Sequence, residues 1–124
     1  MDCLFCKIIK GDIPSKTVYE DDIVKVIMDV NPKTNGHLLI LPKKHFTDFE
    51  EMDAETLSHM HEVAKKMKKV LYDSINPDGL TFAVNYGLPQ AVKHYHLHIL
   101  PAYKNKQEIK DVDEVYNQIK NSIK

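Results

Sequence analysis

Three histidines recur at every second position in His94-Tyr95-His96-Leu97-His98-Ile99-Leu100, and imidazole is the side chain whose proton is most easily moved near neutral pH. On a β-strand, successive side chains face opposite ways and each residue advances about 3.3 Å, so the three rings would root on one face roughly 6.6 Å apart. One phosphate can bridge two rings at that spacing. Tyr95, Leu97 and Ile99 then supply the apolar face that anchors the strand to a core. Three imidazoles separated by single residues can also share a catalytic zinc ion. The bland reading is a half-exposed strand whose histidines are merely polar.

A second candidate for chemistry is the pair Cys3 and Cys6, the only cysteines in the chain. In a reducing compartment, Cys-x-x-Cys is more often half of a metal site or a redox pair than a structural disulfide. A redox pair should follow a strand and open a helix within a βαβ unit, whereas this pair lies at the N-terminus, which leaves the metal half-site as the better reading.

These residues need elements to position them. Leu4 to Lys10 reads as a short helical turn stopped by Gly11 and Pro14. Thr17 to Glu20 and Ile23 to Asp29 read as strands about an Asp21-Asp22 turn, and Asn31-Pro32 with Asn35-Gly36 mark a loop. His37 to Leu41 reads as a central strand buried on both faces and ended by Pro42. Asp53 to about Asp73 is a helix with Asp53 as N-cap, since Leu57, Met60, Ala64, Met67 and Leu71 recur at spacings of three and four. Lys65, Lys66, Lys68 and Lys69 fall off that stripe, as a solvated face rather than a polyanion patch. His59 and His61 of this helix are expected to be incidental surface residues. Leu80 to Asn85 and His94 to Pro101 read as two more strands joined by the Gly87-Pro89 loop. Ile109, Val112, Tyr116, Ile119 and Ile123 mark an amphipathic C-terminal helix over about 107–123. Tight turns favour antiparallel neighbours, so the class is α+β, a mainly antiparallel five-stranded sheet with a long central helix and a C-terminal helix.

The 124 residues fit a single domain, 1–124, and 43% hydrophobic content allows an ordinary core. With 17 Lys plus Arg against 18 Asp plus Glu, the formal net charge is −1. No overall positive field exists to hold nucleic acid, so any phosphate recognition is local. No stretch approaches transmembrane length and no basic segment leads into an apolar run, so the expectation is a cytoplasmic protein with neither membrane nor nucleic acid as partner.

His94-Tyr95-His96-Leu97-His98, preceded by Asn85, Gly87 and Gln90, resembles the signature of the histidine triad (HIT) family. Phe5-Cys6-Lys7-Ile8-Ile9, Ile13-Pro14, Tyr19-Glu20-Asp21-Asp22, Asp29 and the run from Gly36 to His45 resemble further landmarks in the right order, so the likeness covers roughly residues 3 to 101. The resemblance implies a HIT-like fold and a nucleotide hydrolase. His96 would attack the α-phosphate of a purine nucleotide to give a nucleotidyl-histidine intermediate that water releases, which suits a neutral imidazole that both attacks and departs. It implies that His98 hydrogen-bonds the phosphate or bridging atom and protonates the leaving group, and that His37 supports the network. It also implies phosphate contacts from Asn85 and Gln90, a hold on the ribose hydroxyls by Asp29, and an apolar purine slot of Phe5, Ile8, Ile27 and Val30.

His98 stands where transferase branches place glutamine, which points by resemblance to hydrolysis of a phosphoramidate or a dinucleoside polyphosphate. Leu88-Pro89-Gln90-Ala91 departs from the family pattern: it is shorter, Pro89 lacks an N–H donor and Ala91 lacks a hydroxyl. Cys3, Cys6, His45 and His94 resemble the structural zinc site of some members, with no organic cofactor expected. A homodimer is expected by the same likeness. The alternative is a nucleotide-binding sensor or partner protein whose turnover is incidental.

Overall fold

Two short strands, β1 (Thr17–Glu20) and β2 (Val24–Met28), meet at a turn that Asp21 closes. Its Oδ1 accepts the N–H groups of Ile23 and Val24 at 2.8 and 2.9 Å, the local bonding for which aspartate is favoured in turns. In this computed structural model, which describes residues 3–123, three more strands follow: β3 (Leu38–Pro42), β4 (Gly79–Ala83) and β5 (Leu97–Ala102). Together they form one five-stranded sheet in the order β1-β2-β3-β5-β4, antiparallel at every pairing. The α+β reading and the five-stranded antiparallel sheet therefore hold. Among the described residues no helix is long and apolar enough to cross a membrane.

Every residue of β2 and β3 is buried, because both faces of the sheet's middle are covered. Val24, Val26, Met28, Leu38 and Ile40 face the main core with Leu97 and Ile99, while Ile27, Leu39 and Leu41 face a second, smaller cluster. The period of two divides the strand residues between two layers. The main layer is closed by α2 (Ala54–Ser74) through Met60, Val63, Met67 and Leu71, and by α3 (Val112–Ser122) through Val115 and Ile119. Asp53 caps α2 by accepting the Thr56 N–H at 2.9 Å. The smaller layer lies under α1 (Leu4–Lys10), which buries Phe5 and Ile8 and ends at Gly11 with φ +89°.

Several sequence expectations shift at element ends. The final strand begins at Leu97 rather than His94: β3 runs out at Pro42, and the Tyr95 N–H instead donates to Phe46 O at 2.7 Å. Ile23 belongs to the Asp21 turn, and β4 stops at Ala83, two residues short of Asn85. The C-terminal helix starts at Val112 with Asp111 as N-cap, so Ile109 falls outside it, half exposed. His59 is not incidental. Its Nε2 lies 2.7 Å from Asp21 Oδ2, tying α2 to the β1–β2 turn, and Tyr19 OH donates to the same oxygen at 2.9 Å. Burial pushes the Asp21 carboxyl up, but the N–H groups of Val24 and Ile23, with His59 and Tyr19, outweigh it and hold the group below the usual carboxylate range.

Candidate functional site

Although only His98 of the row lies within a strand, the alternation survives. Tyr95, Leu97 and Ile99 enter the main core, and the three imidazoles emerge on the α1 side, where Phe5 packs edge-on against His94 and His96 with centroids at 6.0 and 4.9 Å. The rings of His96 and His98 are 4.9 Å apart. His94 and His96 are buried, so the row is no half-exposed strand face.

The hydrogen bonds fix which nitrogen of each ring is bare, because a carbonyl can only accept. His96 Nδ1 lies 2.7 Å from His94 O; that nitrogen carries the proton, and Nε2 keeps its lone pair. Burial lowers the His96 pKa below its ordinary value, against the opposing pull of the His94 carbonyl and Asp29, so the ring is neutral at pH 7. His37 is 1% exposed and its Nδ1 accepts the Lys33 N–H at 3.2 Å. Its Nε2–H therefore points to His98 Nδ1, 3.0 Å away, with Asp29 Oδ2 at 3.5 Å. His98 is left with its proton on Nε2. Burial, then the nearby His96 and His37, push the His98 pKa down to about 4, which makes it a neutral donor in the free protein rather than a ready acid. A bound phosphate's negative charge raises it again.

A cavity of about 320 Å³ opens beside these rings, lined by His96 and His98 together with Phe5, Ile8, Ile27, Asp29 and Val30. The apolar residues and the carboxylate expected around a nucleotide thus share one cavity, of the size usual for small-molecule sites. Val30 reaches it from an exposed position, at 71% exposure, while Ile8 and Ile27 are buried. Asp29 is held by the Asn31 N–H on Oδ1 at 2.9 Å, which leaves Oδ2 toward His37. Leu4, Pro14, Ser15 and Asn31 also line the cavity; Pro14 falls within the landmark Ile13-Pro14 and Asn31 within a loop signal, but neither pattern assigns them to the cleft, and Leu4 and Ser15 carry no such signal.

Asn85 stands at the far side of His98, its amide 3.4 Å from Nε2. With the proton on that nitrogen, the amide orientation that presents oxygen makes the hydrogen bond. Gln90 is not brought to the rings. It is buried, and its Nε2 donates to Thr47 O at 2.7 Å, which fastens the 84–93 loop to the segment after β3.

His94 turns to a different task. Its Nε2–H donates to Pro42 O at 2.9 Å, so Nδ1 presents a lone pair to Cys3 Sγ at 3.4 Å, Cys6 Sγ at 3.5 Å and His45 Nδ1 at 3.2 Å. Cys6 Sγ is also 3.3 Å from His45 Nδ1, and all four donor atoms lie within 4.8 Å of one another. Around tetrahedral zinc, bond lengths of about 2.3 Å to sulfur and about 2.0 to 2.1 Å to nitrogen put sulfur and nitrogen about 3.6 Å apart and two nitrogens about 3.3 Å apart. The four sulfur–nitrogen and nitrogen–nitrogen distances above match this cage to within a few tenths of an ångström, and the Pro42 carbonyl supplies the outer hydrogen bond that orients a ligating histidine. Burial, then the neighbouring Cys3, push the Cys6 thiol up; a dication would reverse this by favouring thiolate. Both cysteines are free of disulfides.

Comparison with known proteins finds relatives of the same size and fold. The HIT domain model matches residues 10–105. An uncharacterized HIT-like protein of Methanocaldococcus jannaschii is 41% identical, over 95% of this chain and 98% of that protein. The adenylylsulfatase HINT3 of Arabidopsis thaliana is 36% identical over 81% of this chain and 52% of its own length. Among solved structures, a zinc-bound histidine triad family protein of Mycobacterium smegmatis superimposes with a TM-score of 0.89 at 32% identity, covering 98% of this chain and 93% of that one. A hypothetical histidine triad nucleotide-binding protein of Sulfolobus tokodaii gives 0.89 at 31% identity, covering 98% and 91%.

Proposed function

The chain belongs to the HIT family, and on that premise we propose that it is a hydrolase cleaving a phosphoramidate or phosphoanhydride bond at the α-phosphate of a purine nucleotide. The observation that carries this is the bare Nε2 of His96, a neutral ring whose other nitrogen is committed to the His94 carbonyl, on the wall of a cavity shared with Asp29 and His98. Attack by that lone pair forms a bond to phosphorus as the bond to the leaving group breaks, and the leaving group takes the electron pair. Water then attacks the same phosphorus, the P–Nε2 bond breaks, and the nucleoside monophosphate departs. A proton spent on a leaving amine in the first step is regained from water in the second.

His98 presents its Nε2–H to the phosphate and, with its pKa raised by the bound anion, carries that proton. His37 holds His98 in the required tautomer, Asp29 takes the ribose hydroxyls, and Phe5, Ile8, Ile27 and Val30 enclose the base. Asn85 stands close enough to share the phosphate, and Gln90 does so on release from Thr47. The relatives named for nucleotide binding and for adenylylsulfatase activity support the same class of substrate. Zinc on Cys3, Cys6, His45 and His94 serves as a closed structural centre that pins α1 to the segment before β5; the four clustered donors and a zinc-bound relative support the choice of metal. The reading is of one domain working in the reducing cytoplasm, where these thiols stay available to metal.

A second copy of the chain completes the assembly at β4. This edge strand leaves its outer hydrogen-bonding groups unpaired in the sheet order, and Phe82, Val84, Tyr86 and Phe49 are exposed beside it, features that suit an isologous sheet-to-sheet contact. Sedimentation at micromolar concentration should give the dimer mass; a monomer would remove this part of the proposal.

The deciding assay compares adenosine and guanosine phosphoramidates with dinucleoside polyphosphates, with mass spectrometry of the quenched reaction to locate a nucleotidyl adduct on His96. His96→Ala should abolish turnover while nucleotide still binds. Full activity in that variant refutes the mechanism, and nucleotide binding without turnover of any substrate by the unaltered chain would leave a sensor.

A further inference from the structure

A second convergence of donor atoms stands on the cleft wall, apart from the Cys3, Cys6, His45 and His94 cluster. An Asp29 carboxylate oxygen, Nε2 of His37 and Nδ1 of His98 all lie within 4.8 Å of one another. The two ring nitrogens are 3.0 Å apart, and Asp29 Oδ2 is 3.5 Å from His37 Nε2. The three residues come from the loop after β2, the approach to β3 and the interior of β5. Metal–nitrogen bonds of about 2.0 to 2.1 Å set neighbouring ligands about 2.9 Å apart in octahedral geometry and about 3.3 Å apart in tetrahedral geometry, so the His37–His98 pair already stands within a few tenths of an ångström of either and the Asp29–His37 pair within a few tenths of the tetrahedral spacing. Asp29 and His98 line the cavity, which gives an ion a way in.

We infer that Asp29, His37 and His98 form a second, exchangeable site for a divalent transition-metal ion, and that an ion bound there closes the cleft to nucleotide. Two imidazoles and one carboxylate are donors that such ions accept, without the thiolates that make the cysteine cluster the tighter site. Binding carries a built-in cost. Both ring nitrogens must offer lone pairs to the ion, so the proton on His37 Nε2 moves to its Nδ1, and the hydrogen bond from the Lys33 N–H is given up. No proton leaves the histidine pair, and the charge of the dication is met in part by Asp29. The bound ion then holds the lone pair and the carboxylate through which His37, His98 and Asp29 serve a nucleotide. The inhibitory consequence rests on the hydrolase reading above; the binding of the ion rests on the donor atoms alone.

The test titrates the full chain with cobalt(II) or zinc(II), counting bound metal after equilibrium dialysis and following the histidine ring signals by NMR. The expected result is a second ion per chain beyond that in the cysteine cluster, which perturbs His37 and His98 before His59 or His61. Asp29→Asn should hold one ion fewer at the same free concentration, or need at least tenfold more metal to bind it, and adenosine monophosphate should raise the metal concentration required. If the second ion perturbs His59 or His61 first, or if no second ion binds below millimolar metal, the site does not exist. The unaltered chain alone gives that answer should Asp29→Asn fail to fold. An Asp29→Asn chain that folds and binds both ions as the unaltered one does also overturns the proposal. A chain without hydrolase activity that still shows the Asp29-dependent second ion refutes the proposed function and leaves this site standing.

Discussion

Replacing His98 by glutamine should make the fold markedly less sensitive to mild acid. Burial and the neighbouring His96 and His37 push His98 from 6.5 down to about 4, so the folded chain binds fewer protons at this position than the unfolded one. Stability from this residue is therefore complete above about pH 6.5 and is lost as pH falls through about 4. The whole window is worth about 3 kcal/mol, of which about 2 kcal/mol falls between pH 7 and pH 5, where the unfolded ring is almost wholly protonated and the folded ring about one-tenth so. His37, His94 and His96 are also pushed down by burial, and they steepen the acid limb in both proteins. The informative quantity is thus the difference in slope. Urea unfolding at pH 7 and pH 5, on metal-free samples of both chains, should show His98→Gln losing about 2 kcal/mol less than the unaltered protein. Equal losses would mean that His98 is solvated and titrates normally, and the tautomer chain from Lys33 through His37 would have to be abandoned.

Four further outcomes follow from other parts of the molecule. Gly36→Ala should cost about 2 to 3 kcal/mol in urea unfolding, since φ is +92° there and an added Cβ would stand 2.5 Å from Ile75 Cδ1. Asp21→Ala should cost about 2 to 3 kcal/mol by removing the acceptor shared by Ile23, Val24, Tyr19 and His59. Because the Asp21 carboxyl is held below its ordinary range, its contribution is present above that range and fades as pH drops below it, so an Asp21→Asn chain should show a flatter stability profile below about pH 4. Cys6→Ser should lower the metal content by one ion per chain and the melting temperature by at least about 5 °C; an unchanged metal count by elemental analysis would remove the cysteine cluster as a centre.

The parts of this architecture that are visible in the sequence are those set by local periodicity. The Asp53 cap, the α2 stripe and the two-sided burial of β3 were legible because each depends on neighbours within a few residues. So was the division of Tyr95, Leu97 and Ile99 from the histidines, since it follows from the strand's alternation. The start of β5 was not legible. It depends on where β3 ends some fifty residues earlier and on the Phe46 carbonyl that takes the Tyr95 N–H. His59 looked like part of a solvated face because helical spacing says nothing about a carboxylate arriving from the β1–β2 turn. Gln90 sits in a loop whose course follows from its bond to Thr47, a pairing across 43 positions that no motif announces. The zinc-type cluster was legible through resemblance, but the Pro42 carbonyl that orients His94 carries no side-chain signature.

Helix α1 has seven residues, too few to persist in water by their own hydrogen bonds. What holds it is what it touches: Phe5 and Ile8 in the smaller core, and the thiols at its first turn against His45 and His94. The α1 wall of the cleft and the cysteine cluster therefore depend on the same short helix, whereas α2 and α3 pack on the opposite face of the sheet. In hydrogen exchange, the amides of α1 should open as one unit, earlier than those of β2 and β3. One wall of the pocket is thus set by the sheet, and the other by a helix that its contacts alone keep in place.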